Sequence, residues 1–310
     1  MSVDDRGRAL PVGCPVTRVA QTARGVARIE GEDLCLLDLA PSLDDLIRSG
    51  QLDRATNASI RDVAAVGTVP MLAPVRRPGK ICIVGLNYAD HAREIGAAVP
   101  SHPRFHLAAG SAVGNPGDAI VLPEIAAEEV DYEGEVALVI GTRARRVKVD
   151  QAWRHVAGLT PANDVSARDV QLGRRAHVGR PNVPVAKSFD SFKPLGPCIL
   201  TADDVEAGQP LVVRTYVDDE LRQHASTTEM IFGFAELIAE ISQYVTLEPG
   251  DVILTGTPAG VAENTGRFLK AGQTVRVEID GVGTLSNPVC RMAPENSARS
   301  DRPSTRRALG

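Results

Sequence analysis

Aromatic side chains are scarce here, at 4% of 310 residues. The chain therefore lacks the stacking platforms with which proteins grip single-stranded nucleic acid. Basic charge is not in excess either. The formal net charge of -5 excludes the electrostatic footprint of a nucleic-acid or anionic-membrane partner. The five cysteines, Cys14, Cys35, Cys82, Cys198 and Cys290, are odd in number, widely spaced and without a C-x-x-C pair. They support neither a disulfide framework nor a zinc knuckle. Cys82, inside the apolar run Ile81–Val84, reads as a buried thiol. The start, Met1 to Arg6, has no apolar core of the signal-peptide kind, and no uninterrupted apolar run approaches a membrane span. The expectation is a protein of the reducing cytoplasm, with no membrane partner. No internal repeat is visible.

What is present is a chain long enough for one large domain or two smaller ones, with 43% hydrophobic and 24% charged residues, ordinary for a globular protein. Residues 12–75 read as a small α/β lobe. They carry alternating segments at Val16–Ala20, Gly25–Ile29 and Leu34–Leu39, then a short helix Leu43–Ser49 capped by Ser42 and stopped by Gly50. Pro70, Pro74 and Pro78 punctuate the connection to a larger domain, residues 76–292. The polar, basic tail, residues 293–310, is expected to be disordered.

The informative stretch is Asp131-Tyr132-Glu133-Gly134-Glu135, which runs into the apolar segment Val136–Ile140. As one strand it would put all three carboxylates on one face, neighbours roughly 6.5 Å apart. Carboxylates that close repel unless a cation lies between them or one stays protonated. An acidic strand face in water is the plain reading; a hard divalent cation, which wants carboxylate oxygens, is the sharper one.

Elsewhere in the larger domain, Lys80–Gly85 reads as a buried strand. It leads to a short helix capped by Asn87 and stopped by Gly96, with His91 and Glu94 three apart on one face. Residues 101–117 and 157–169 read as loops, the second mixing turn formers with charges. A basic loop with Arg174 and His177 precedes Lys187. Residues 211–217 and 221–224 form a hairpin around Asp218-Asp219. The clearest helix spans Thr228 to Tyr244, where the stripe from Met230 to Ile241 belongs to a core. A hairpin turn is expected at Asp280-Gly281.

Six stretches, in order, resemble the fumarylacetoacetate hydrolase family: V-G-L-N-Y-A-D-H-A-R-E, D-Y-E-G-E-V-A-L-V-I-G, D-V-S-A-R-D-V-Q, A-K-S-F-D-S-F-K-P-L-G-P, E-L-R-Q and G-D-V-I-L-T-G-T-P-A-G-V. Together they cover roughly residues 78–290. The resemblance implies an α+β, mostly β fold: a mixed β-sheet roll with a small amino-terminal α/β lobe, usually a homodimer. It also implies one Mg²⁺ per active site, with Mn²⁺ as a substitute, held by Glu133, Glu135 and Asp164. It further implies His91 and Glu94 as a catalytic dyad, Lys187 as a charge or proton donor at a developing enolate, and Arg168, Gln223 and Thr257 as groups holding substrate. Asp131 matches no ligand and is expected at the surface or behind the ligands.

One departure is plain. Ala108 stands where many members have a lysine, leaving His106, Arg174, Arg175 or Arg180 to supply its charge. The activity implied is hydrolytic C–C cleavage of a 2,4-dioxo acid of the acylpyruvate or fumarylpyruvate type. An alternative keeps the metal site and makes the chain a decarboxylase, isomerase or tautomerase of a 2-oxo acid. A third reading is a metal-binding relative without catalysis, against which the intact acidic and His91–Glu94 motifs speak.

Overall fold

The computed structural model describes residues 17–174, 179–205 and 209–291. The expected tail 293–310, the first residues of the lobe and His177 of the basic loop lie outside them. The architecture is α+β and mostly β. The larger sheet runs, edge to edge, through Ile60–Ala65, Asp33–Leu37, Gly25–Glu30, Arg18–Thr22, Ile199–Thr201, Val156–Asn163, Gly134–Ile140, Val252–Leu254, Ile81–Gly85 and Arg104–Ala108. The strands before residue 75 extend this sheet, because Arg18–Thr22 pairs antiparallel with Ile199–Thr201. A second sheet has the order Glu220–Ser226, Val212–Val217, Thr274–Ile279, Gly283–Arg291 and Ile120–Leu122.

Gly134–Ile140 is the centre of the molecule. It pairs antiparallel with Val156–Asn163 on one side and Val252–Leu254 on the other, and all seven residues are buried. Val136, Leu138 and Ile140 pack with Val213 and Val277 of the second sheet and with Phe234, Leu237 and Ile241 of a helix. Ala137 and Val139 point the other way, into a cluster with Leu43, Leu46 and Ile47. A strand covered on both faces needs an apolar residue at every position, which is why this run does not alternate. Burial on that scale, at about 1.5–3 kcal/mol per large aliphatic side chain, fixes the strand and hence the acids at its start.

Four local expectations need correction. Residues 157–169 are not a loop: Val156–Asn163 is an eight-residue strand. Its Gly158 is there for close packing, since a Cβ would lie 2.2 Å from the Leu200 carbonyl oxygen. Residues 101–117 contain the strand Arg104–Ala108, paired along Ile81–Gly85. There Ala108 packs into the core opposite Ile81. The long helix begins only at Phe234, where Gly233 is the cap and donates its N–H to Glu236 at 2.7 Å. Met230 and Ile231 precede the helix. Asn87 does not cap the helix Ala89–Glu94. Its amide donates to the carbonyls of Thr255 and Phe232, at 2.8 and 3.0 Å, and accepts from Phe232 N–H.

Candidate metal and substrate site

The acidic stretch is not one strand. Val130–Asp131 pairs with Ser166–Ala167, and a new strand starts at Gly134. The join is pinned by side chains: Asn163 accepts the Glu133 N–H at 3.0 Å, and Gln223 accepts the Gly134 N–H at 2.9 Å. Gly134 admits no side chain, since a Cβ would sit 1.9 Å from Thr215 Oγ1. Asp131 therefore leaves the face of the other two acids. It is buried, not superficial, and is held by Arg168 and by the N–H groups of Ala262 and Glu263.

Glu133, Glu135 and Asp164 converge. One ligand oxygen from each lies within 4.8 Å of the others, and all three residues are buried. Asp164 reaches the cluster from just past the end of Val156–Asn163, the strand paired beside Gly134–Ile140. Glu133 accepts from Lys187 Nζ at 2.6 Å and from Arg168 Nη2 at 2.5 Å. Lys187 also donates to Asp164 Oδ2 at 2.5 Å and to Ser166 Oγ at 2.8 Å. Glu135 accepts the Gly256 N–H at 2.6 Å.

The charges respond to one another. Burial opposes ionisation of Glu133, but the Lys187 and Arg168 charges outweigh it and hold its carboxyl below the usual range. Burial, then the negative charges of Asp164 and Glu133, push Glu135 well above that range. Burial opposes the Lys187 ammonium too, yet Asp164 and Glu133 raise it. At Glu135 the repulsion from Asp164 and Glu133 is offset only in part by Lys187. Asp164 Oδ1 is paired with Lys193 Nζ at 2.8 Å, both fully buried. Three buried carboxylates whose oxygens lie within 4.8 Å of one another, crowded enough that their mutual repulsion resists ionisation of Glu135, form an all-oxygen donor set that fits a hard divalent cation.

Glu133, Glu135, Lys187 and Thr257 line one cavity of about 200 Å³ together with His91, His106, Arg168 and Gln171. His91 Nδ1 lies 3.1 Å from Glu94 Oε2, and Glu94 Oε1 accepts the Gly260 N–H at 3.0 Å. The dyad helix is thereby tied to the loop after Val252–Leu254. That loop closes on Asn87: Gly256, at φ 102°, could carry no Cβ without meeting Asn87 Cβ at 2.6 Å.

The expected substrate groups separate. Arg168 reaches the cavity, but its nitrogens are engaged by Asp131, Glu133 and Gln171. Thr257 lines the cavity, with its hydroxyl donating to Gly134 O at 3.1 Å. Gln223 is not brought to the cavity. Its amide donates to Thr257 Oγ1 and Pro258 O at 2.7 and 2.9 Å while its oxygen holds Gly134, so it clamps the site's backbone. Lys193 and Ser166 are neighbours of the cluster that the sequence reading missed. A lysine between Phe192 and Pro194 carries no pattern announcing that it will be buried against an acid.

A family model for the fumarylacetoacetate (FAA) hydrolase C-terminal region matches residues 80–290. Among curated proteins, the chain is 46% identical over 223 residues to oxaloacetate tautomerase FAHD2B, mitochondrial, of Bos taurus, covering 71% of this chain and 69% of that one. It is 38% identical over 230 residues to oxaloacetate tautomerase YisK of Bacillus subtilis, covering 73% and 74%. Among solved structures it resembles a 2-hydroxyhepta-2,4-diene-1,7-dioate isomerase from Mycobacterium marinum, at TM-score 0.72 and 33% identity over 89% of this chain and 99% of that one. It also resembles a fumarylacetoacetate hydrolase from Exiguobacterium antarcticum, at TM-score 0.76 and 33% identity over 89% and 100%.

Two expectations fall to these likenesses. Hydrolytic C–C cleavage is overturned by the tautomerase and isomerase relatives. Relatives named as tautomerases and isomerases share the fold with one named as a hydrolase, so family motifs alone do not select hydrolysis. The cytoplasmic expectation is overturned by the mitochondrial relatives, and a start without signal-peptide character does not decide a compartment. The chain belongs to the fumarylacetoacetate hydrolase family.

Proposed function

We propose that this chain is a divalent-metal-dependent tautomerase of a small 2-oxo acid of the oxaloacetate kind, interconverting its keto and enol forms. One observation carries the reading: the His91–Glu94 dyad opens on the same cavity as Glu133, Glu135 and Lys187. The tautomerase relatives support it.

Glu133, Glu135 and Asp164 would hold the ion, Mg²⁺ with Mn²⁺ as a substitute. When bound, it supplies Lewis acidity toward the oxygens of the 2-oxo acid end. The chain's own groups handle the protons. Glu94 accepts the Nδ1 proton of His91, which leaves Nε2 as the basic nitrogen. His91 Nε2 takes a proton from C3 of the keto acid, and a proton returned to the 2-oxo oxygen completes the enol. No atom is lost. Lys187 contributes positive charge where the oxygen becomes negative. Pocket walls such as Ile83, Val84 and Ile95 keep the reacting carbon out of bulk water. The homodimer belongs to the same proposal, and sedimentation of the full chain tests it.

The activity test is direct. Oxaloacetate freshly dissolved as the enol is mixed with protein and Mg²⁺, and products are followed by NMR. Faster approach to the keto–enol equilibrium with carbon skeleton intact supports the reading. Decarboxylation to pyruvate, or no acceleration, refutes it.

A further inference from the structure

Four of the polar side chains lining the cavity beside the three acids are already committed. Arg168 is engaged by Asp131, Glu133 and Gln171. Lys187 donates to Glu133, Asp164 and Ser166. Thr257 donates to Gly134, and His91 is oriented by Glu94. Among the described residues, His106 stands apart: its half-buried imidazole faces the cavity and makes no hydrogen bond or ion pair within the chain. It projects from the strand Arg104–Ala108 beside Ile81–Gly85. Its Nε2 lies over the neighbouring Gly85, where a Cβ would come to 3.9 Å, an ordinary contact.

A ring nitrogen that faces a cavity and has no partner in the protein keeps its donor capacity available to a ligand. Burial and the Lys187 charge both hold this imidazole below its ordinary value, which leaves it neutral with one N–H to give. The same lysine makes its surroundings favourable to an anion. The charge missing at Ala108 is not restored by that strand position, because Ala108 is packed against the core.

We propose that His106 is a specificity-determining residue: its ring N–H seats the distal carboxylate of a four-carbon 2-oxo diacid whose 2-oxo acid end faces Glu133, Glu135 and Asp164. The inference rests on the tautomerase reading for the orientation of that first end. A monoacid of equal length presents a methyl group to His106 and gains nothing there.

The test compares oxaloacetate with 2-oxobutanoate, which differ in a carboxylate against a methyl group. Binding of each to the full chain with Mg²⁺ is measured by calorimetry. Wild type is expected to prefer the diacid, and His106→Ala to weaken oxaloacetate by roughly ten- to a hundredfold while leaving 2-oxobutanoate unchanged, the loss of one hydrogen bond to a charged group. His106→Gln, which keeps an N–H donor, should restore most of the preference. An undiminished preference in His106→Ala, or an equal loss for both ligands, overturns the proposal. A wild type that fails to tautomerise oxaloacetate yet shows the His106-dependent preference would sink the tautomerase reading and leave the carboxylate seat standing.

Discussion

Arg168 holds Asp131 through two nitrogens, Nε at 2.9 Å and Nη2 at 2.8 Å, with both side chains sealed from solvent. Asp131 also accepts the N–H groups of Ala262 and Glu263, at 2.8 and 3.0 Å. The pair thus ties the acidic segment to the short helix Ala262–Thr265 and aims the guanidinium at Glu133. Removing one member of a buried ion pair costs about 3–5 kcal/mol. Here Arg168 keeps Glu133 and Glu263, while the N–H groups of Ala262 and Glu263 lose their acceptor. Asp131→Ala is expected to lose that much in urea unfolding. A loss below about 1 kcal/mol would mean that the pair contributes nothing net.

Lys193 flanks the cluster without lining the cavity. Its Nζ lies 2.8 Å from Asp164 Oδ1 and donates to the carbonyls of Val165 and Phe192 at 2.9 and 2.8 Å. A positive charge there competes with a cation for Asp164. Lys193→Met, of similar volume, is expected to bind Mn²⁺ several-fold more tightly by calorimetry. The metal-free protein should at the same time become less stable, because Asp164 loses a counter-charge. Weaker Mn²⁺ binding would show instead that Lys193 positions the carboxylate.

The dyad gives a kinetic prediction. Loss of a positioned general base lowers turnover by about 10²–10⁴. His91→Ala should fall in that range for oxaloacetate tautomerisation with KM nearly unchanged. Glu94→Gln, which removes the acceptor for Nδ1–H, should lose less. Equal rates for wild type and His91→Ala would remove His91 from the chemistry.

Burial pushes the Cys82 and Cys198 thiols up to about 12 from 9.0. Unfolding releases both to ionise at their ordinary value, so this contribution to stability is complete below pH 9.0 and is lost as pH rises towards about 12. Each thiol contributes a slope of up to about 1.4 kcal/mol per pH unit in that window. Urea midpoints measured from pH 8 to 11 should fall more steeply for wild type than for Cys82→Ala. Parallel declines would show that the thiol does not titrate on unfolding.

Much of the architecture could be read from side-chain patterning, and the failures have physical causes. The run Val136–Ile140 announced a strand because burial on both faces leaves no polar position. Ser42 and Gly50 bounded the first helix because a side-chain cap and a left-handed stop are local chemistry; the Ser42–Asp45 capping box and Gly50 at φ 66° are there. Val156–Asn163 was hidden because Gly158 and Pro161 are turn formers locally. Gly158 is needed there by the close approach of Leu200, which lies far along the chain. The convergence of Glu133, Glu135 and Asp164 followed from family motifs and is a matter of geometry in the fold. The shared face of Asp131 was wrong because the strand breaks at Glu133 under side chains from Asn163 and Gln223. Lys193 and the unpartnered ring of His106 depend wholly on tertiary packing, which no local pattern encodes.

The central claim is that three converging carboxylates hold a divalent ion required for keto–enol exchange of a 2-oxo acid. Metal-stripped protein titrated with Mg²⁺, while absorbance follows decay of the oxaloacetate enol, tests it most directly. The account predicts no acceleration before metal, a saturable rise with it, and loss of both metal binding and rate in Glu133→Gln. Undiminished acceleration in chelator, or an unaltered rate and metal affinity in Glu133→Gln, would contradict it.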